Sequence, residues 1–138
     1  MAFTFVQSNK NNNGGVATLN GVTAGNLVVV WAKWENAKTD CSVSDGISTF
    51  LLGTRADSAS ADGVMGQFAY LLEANSGNRT YTVTFPAGHL ATADQMIVME
   101  FAPQGPVVMR AQNIGNGTGT AAQSGNITPT ATNCLLLG

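Results

Sequence analysis

The residues of this chain that could do chemistry are few: one histidine, two cysteines and eight carboxylates among 138 residues. His89 follows Pro86-Ala87-Gly88, a turn sequence. A Ser-His-Asp or Cys-His arrangement would therefore have to be built around a loop residue, and no nucleophile elbow accompanies it. Glu35, Glu73 and Glu100 supply enough carboxylates for glycoside hydrolysis, but that reaction needs two of them across one cleft. No pattern in the chain sets any two opposite each other, and Glu100 reads as a polar residue at a strand end. The loop Asp57-Ser58-Ala59-Ser60-Ala61-Asp62-Gly63 has two carboxylates near a turn glycine. Alanines occupy alternate positions where an EF-type calcium loop needs oxygen ligands, so it reads as a solvated turn. Cys41 and Cys134 belong to no CxxC pair and no histidine cluster, which argues against zinc. Their even number permits one disulfide in an oxidising compartment, and two half-buried thiols are the other reading. The expectation is a chain with no catalytic residues, metal or cofactor.

Aromatic residues offer a different chemistry, that of binding. The segment Gly25-Asn26-Leu27-Val28-Val29-Val30-Trp31-Ala32-Lys33-Trp34-Glu35 joins the most strand-like run to the only two tryptophans. Sugar rings stack their C–H faces on indole or phenol rings while neighbouring polar groups bond the hydroxyls. Strand alternation puts Ala32 and Trp34 on one face and Trp31 and Lys33 on the other. Trp34, flanked by Lys33, Glu35 and Asn36 at the polar end of the run, is the tryptophan expected near water. These four residues form the candidate glycan site. The competing reading is that both tryptophans fill core or sheet-edge space, and Tyr70, Tyr81 and Phe50 are read the same way.

The elements that must position these residues are strands. Thr80-Tyr81-Thr82-Val83-Thr84-Phe85 alternates cleanly, with Tyr81, Val83 and Phe85 toward a core and threonines toward water. Leu27 to Ala32 and Gln95 to Phe101 are more uniformly apolar and suit central strands. Further strands are expected at Phe3 to Gln7, Val16 to Leu19, Thr49 to Arg55, Val64 to Leu72, Val107 to Asn113 and Cys134 to Leu137. Turn chemistry separates them at Asn13-Gly14-Gly15, Asn20-Gly21, Asp45-Gly46, Asp62-Gly63, Gly77-Asn78 and Pro86-Ala87-Gly88. The spacing leaves little room for crossover helices. An all-β, antiparallel β-sandwich with short hairpin and Greek-key connections follows. Gly115 to Gly125 reads as a loop within a single domain spanning 1–138.

Only 10% of the residues are charged and 44% are apolar, so solubility rests on neutral polar residues. That profile resembles β-rich exported or virion proteins and argues against disorder. A net charge of -2 gives no footprint for nucleic acid. No apolar run approaches the roughly 18 residues of a membrane span. Met1-Ala2-Phe3-Thr4-Phe5-Val6 has no signal-peptide pattern and reads directly as a strand. Either the chain is used without export, as phage structural proteins are, or a methionine has replaced an upstream signal or domain. Asn78-Arg79-Thr80, Asn116-Gly117-Thr118 and Asn126-Ile127-Thr128 match the glycosylation sequon, as expected by chance in a chain this rich in Asn and Thr.

Several segments in order, Phe5-Val6-Gln7-Ser8, Val22 to Val29, Val43-Ser44-Asp45, Tyr81 to Phe85 and Glu100-Phe101, resemble a jelly-roll-like β-sandwich module. That module recurs in secreted bacterial and phage or prophage proteins, often beside carbohydrate-binding or fibronectin-like domains. Gly46-Ile47-Ser48 is shorter than the turn usual there, and Ala102-Pro103-Gln104 stands where Ser-Gly is commoner. Such modules run on past Thr132 to Gly138, so a truncated last strand, with an edge for a neighbour to cover, is expected. The resemblance implies a noncatalytic module, and together with the leaderless Met start, the low charge and the edge in need of a partner it points to a structural or adhesion module at a virion or extracellular surface: a phage decoration, fibre or tail component self-associating, or meeting neighbouring subunits, through sheet edges. The alternative is a carbohydrate-binding module from a secreted polysaccharide-degrading enzyme.

Overall fold

The computed structural model describes residues 3–58, 60, 63–108, 134, 135 and 137. The strands are β1 Phe3–Asn11, β2 Val16–Val22, β3 Leu27–Glu35, β4 Ser42–Ser44, β5 Leu51–Leu52, β6 Ala56–Asp57, β7 Val64–Leu71, β8 Gly77–Thr84 and β9 Gln95–Pro103, with one 3-10 turn at Ala91–Ala93. They form two antiparallel sheets. The larger runs β1-β9-β3-β7-β5, with β6 also on β7, and the smaller runs β2-β8-β4. The protein is all-β and sandwich-like. Among the described residues, of strands adjacent in sequence only β6 and β7 pair with each other. Of the expected hairpin and Greek-key connections, the short hairpins are therefore mostly replaced by arches that carry the chain from one sheet to the other.

Alternation explains how the sheets pack. On β3 the side chains of Val28, Val30, Ala32 and Trp34 enter the core with Met65, Ala69 and Leu71 of β7 and Met96 and Val98 of β9. Ala17, Leu19 and Val22 of β2 and Tyr81 and Val83 of β8 close it from the smaller sheet. Each fully buried large aliphatic side chain contributes about 1.5–3 kcal/mol. β3 lies between β9 and β7, which is why its run is apolar on both faces. Gly15 faces the backbone carbonyl of Val83 and accepts a hydrogen bond from Val83 N–H at 2.7 Å. Only a residue without Cβ fits there.

Of the strand expected at Thr49 to Arg55 only the two residues of β5 are a strand, and the short β4 and β6 were not expected from periodicity. Val107 and Val108 belong to no strand, and the remainder of the expected Val107 to Asn113 strand lies outside the described residues, as does the loop Gly115 to Gly125. Cys134, Leu135 and Leu137 are likewise not in a strand.

A seam joins the sheets where β1 passes β2. Gln7, Asn9 and Asn11 donate side-chain N–H groups to the carbonyls of Asn20, Thr18 and Val16 at 2.9, 2.8 and 3.0 Å.

Candidate functional site

The candidate site begins on β3, because its two faces settle the fate of both tryptophans. Trp34 is 0% exposed. Its Nε1–H donates to the Ala37 carbonyl at 2.6 Å, and its ring lies 6.1 Å from that of Phe85. This corrects the expectation that Trp34 meets water. Position 34 shares the parity of Val28 and Val30, and a central strand sends that parity into the core. Asn36, at φ 72°, then turns the chain back after β3. Lys33 and Glu35 are on the opposite face, joined by an ion pair at 3.0 Å, with Lys33 Nζ also donating to the Ala93 carbonyl at 3.3 Å. Asn36 is exposed in the turn. The four residues expected to share a glycan site therefore do not come together.

Trp31 is the tryptophan on the outer face, half-buried. Register places it between Ile97 of β9 and Phe68 of β7, and its Nε1 lies 3.6 Å from where a Cβ on Gly66 would sit. Phe68 and Tyr70, two apart on β7, stack at 6.1 Å and 26°. Leu27, Val29 and Phe101 form a second apolar cluster on this outer face, onto which Val107, Leu135 and Leu137 pack. Phe5, edge-on to Phe101 at 5.8 Å, is 57% exposed at one margin, and Leu51, opposite Tyr70, is 46% exposed at the other. An open depression of about 310 Å³ lies beside Tyr70, lined by Thr49, Leu51, Leu71, Leu72, Glu73 and Val107. Sequence alternation placed Trp31 on a face but could not say which face was core. Phe68 has an alternation signal of its own, but its neighbours become visible only once β3 and β7 are paired.

The polar residues with chemical potential are bound up in structure. Glu100 is 0% exposed. Its Oε1 accepts from Thr23 N at 2.9 Å and Asn26 Nδ2 at 2.6 Å, and its Oε2 from Gln7 Nε2 at 2.6 Å. Three neutral donors thus hold a buried carboxyl and tie β1 and the β2–β3 arch to β9. Gln67, also buried, accepts from Cys41 N at 3.1 Å and from Cys41 Sγ at 3.4 Å, and donates to the Gly53 carbonyl at 2.9 Å. Burial pushes the Cys41 thiol up to about 11, the setting of an unreactive thiol. Cys41 is buried and Cys134 exposed.

His89 has both ring nitrogens against acceptors, Nδ1 at 2.7 Å from the Pro86 carbonyl and Nε2 at 3.0 Å from Asp94 Oδ2. Neither nitrogen is left to activate a nucleophile. Burial raises the Asp94 carboxyl above its ordinary value, against the opposing pull of His89 and Lys33. The pair pins the Pro86 to His89 turn to the start of β9. Among the described residues no three His, Cys, Asp or Glu side chains converge as a metal site, and no helix is long and apolar enough to cross a membrane. What the arrangement can do chemically is concentrated on the outer face, which can bind apolar or aromatic-stacking partners.

No family model matches the chain, and no match was found among curated proteins or solved structures.

Proposed function

We propose that this protein is a noncatalytic structural or adhesion module of a surface assembly, working through the outer face of its six-stranded sheet. The observation that carries this reading is the width of that face. Apolar side chains run across it from Phe5 at one margin to Leu51 at the other; Leu27, Val29 and Phe101 in its middle are buried, while Phe5 and Leu51 are exposed. A sandwich needs one core; exposed apolar side chains such as Phe5 and Leu51 at the margins of a second cluster are what a contact surface would use. The face already takes aliphatic side chains, those of Leu135 and Leu137, which favours protein contact and hence neighbouring subunits or further copies of this chain. The reading moves self-association from the sheet edges to a sheet face.

The strand order supports a jelly-roll-like version of the fold. β1 pairs β9, β2 pairs β8 and β3 pairs β7, the nested pattern of a long antiparallel ribbon rolled into two sheets. That architecture serves viral capsid and lectin domains, so by fold analogy alone it fits a phage decoration, fibre or tail component at a virion or extracellular surface. The test is the oligomeric state of wild type and of a Phe5→Lys/Leu51→Lys variant, whose exposed positions leave the core untouched. Wild type forms a discrete oligomer, and the variant falls to a smaller mass.

Trp31 favours a second reading, carbohydrate binding. It is half-exposed beside Phe68, with the Lys33–Glu35 pair along the same strand face and Gln95 opposite Lys33. That is an aromatic platform with a polar fringe. This reading predicts retention on an insoluble polysaccharide that Trp31→Ala abolishes with the fold intact. Failure to be retained on any of a panel of polysaccharides would count against it.

A further inference from the structure

We infer that Gln7, Asn9 and Asn11 guard the free edge of β2 against strand addition by a second copy of this chain. Among the described residues the sheet order leaves β2 paired with β8 on one side only. An unpaired edge offers its carbonyls and N–H groups at a two-residue repeat to any strand that reaches it. β1 belongs to the other sheet, where it pairs β9, yet its side chains at positions 7, 9 and 11 meet β2 at that same repeat. Their amide N–H groups donate to the carbonyls of Asn20, Thr18 and Val16 at 2.9, 2.8 and 3.0 Å. These donors stand where the backbone N–H groups of a neighbouring strand would stand.

The rungs are oriented at both ends. Asn9 Oδ1 accepts from Lys10 N at 2.8 Å and Asn11 Oδ1 from Asn13 N at 3.0 Å, which turns each amide nitrogen toward β2. Gln7 gives its other N–H to Glu100 Oε2 at 2.6 Å, anchoring the ladder in the buried carboxyl. β2 itself, Val16-Ala17-Thr18-Leu19-Asn20-Gly21-Val22, has no charge and no proline to repel a strand, so protection has to come from elsewhere. The occupant that fits the opened edge is β2 of another copy. Two identical antiparallel edges pair about a two-fold axis and present the same groups to each other.

This inference is independent of the outer-face reading, because it concerns what removal of the guard adds to whatever mass wild type has. The full chain carrying Asn9→Ala/Asn11→Ala is compared with wild type by sedimentation over a range of concentrations, with circular dichroism reporting the fold. The expected result is at least a doubling of mass relative to wild type. Adding Thr18→Pro, which removes an N–H from the same edge, returns the mass to the wild-type value. A folded Asn9→Ala/Asn11→Ala variant of wild-type mass overturns the inference, as does a rise in mass that survives Thr18→Pro. Should the double variant fail to fold, Asn9→Ala alone removes an exposed rung, and a folded Asn9→Ala protein of unchanged mass is equally decisive against it.

Discussion

At the scale of single residues, the polar groups of this protein build the fold. Glu100 shows how closely they are matched. Both of its oxygens accept, so Glu100→Gln, though nearly isosteric, must turn an NH2 group toward one of its donors. Leaving one buried donor without an acceptor costs about 1–3 kcal/mol, and urea denaturation should show a loss in that range with the strand content unchanged. Asp45 makes a prediction in pH. Burial acts to raise its carboxyl, but hydrogen bonds from Ser48 and from the Ile47 backbone outweigh it and hold the group below its ordinary 3.8. A depressed folded-state value contributes stability that is fully present above 3.8 and is lost as pH falls through the folded value. Thermal melts at decreasing pH should therefore show a shallower acid limb for Asp45→Asn than for wild type.

At the scale of elements, alternation made the strands legible and left their partners hidden. Tyr81, Val83 and the Leu27 to Ala32 run could be placed from period alone, since a two-residue repeat and a buried central strand each leave a mark in sequence. Trp34 could not. Its parity was readable, but which parity faces the core depends on the sheet that covers β3. The strand read at Thr49 to Arg55 keeps only β5, and β6 lies beyond it, because Gly53, Thr54 and Arg55 stand opposite only Gln67 and Phe68 of β7, an extra residue that interrupts the ladder. The amide ladder was equally invisible, because Gln7, Asn9 and Asn11 acquire meaning only when β2 lies beside them. Gly15 belongs to this scale too, as the close approach that lets the β1–β2 arch meet β8. A Cβ there would lie 2.9 Å from the Phe85 ring and against the Val83 carbonyl. Gly15→Ala should destabilise by about 1–3 kcal/mol, read as a lower unfolding midpoint at unchanged slope.

At the scale of the whole molecule, the two sheets share one core, and the larger sheet carries a second apolar surface on its far side. Sequence composition made the all-β character legible through abundant β-forming residues, frequent turn glycines and few charges. The second surface was not legible, because a central strand that is apolar on both faces looks the same whether its outer face is covered within the chain or meets a partner. Its breadth, from Phe5 to Leu51, is what makes assembly the central claim. Sedimentation of wild type beside Phe5→Lys/Leu51→Lys tests that claim most directly. The account predicts a discrete wild-type oligomer that the folded variant loses, and a wild-type protein that is strictly monomeric across the concentration range contradicts it.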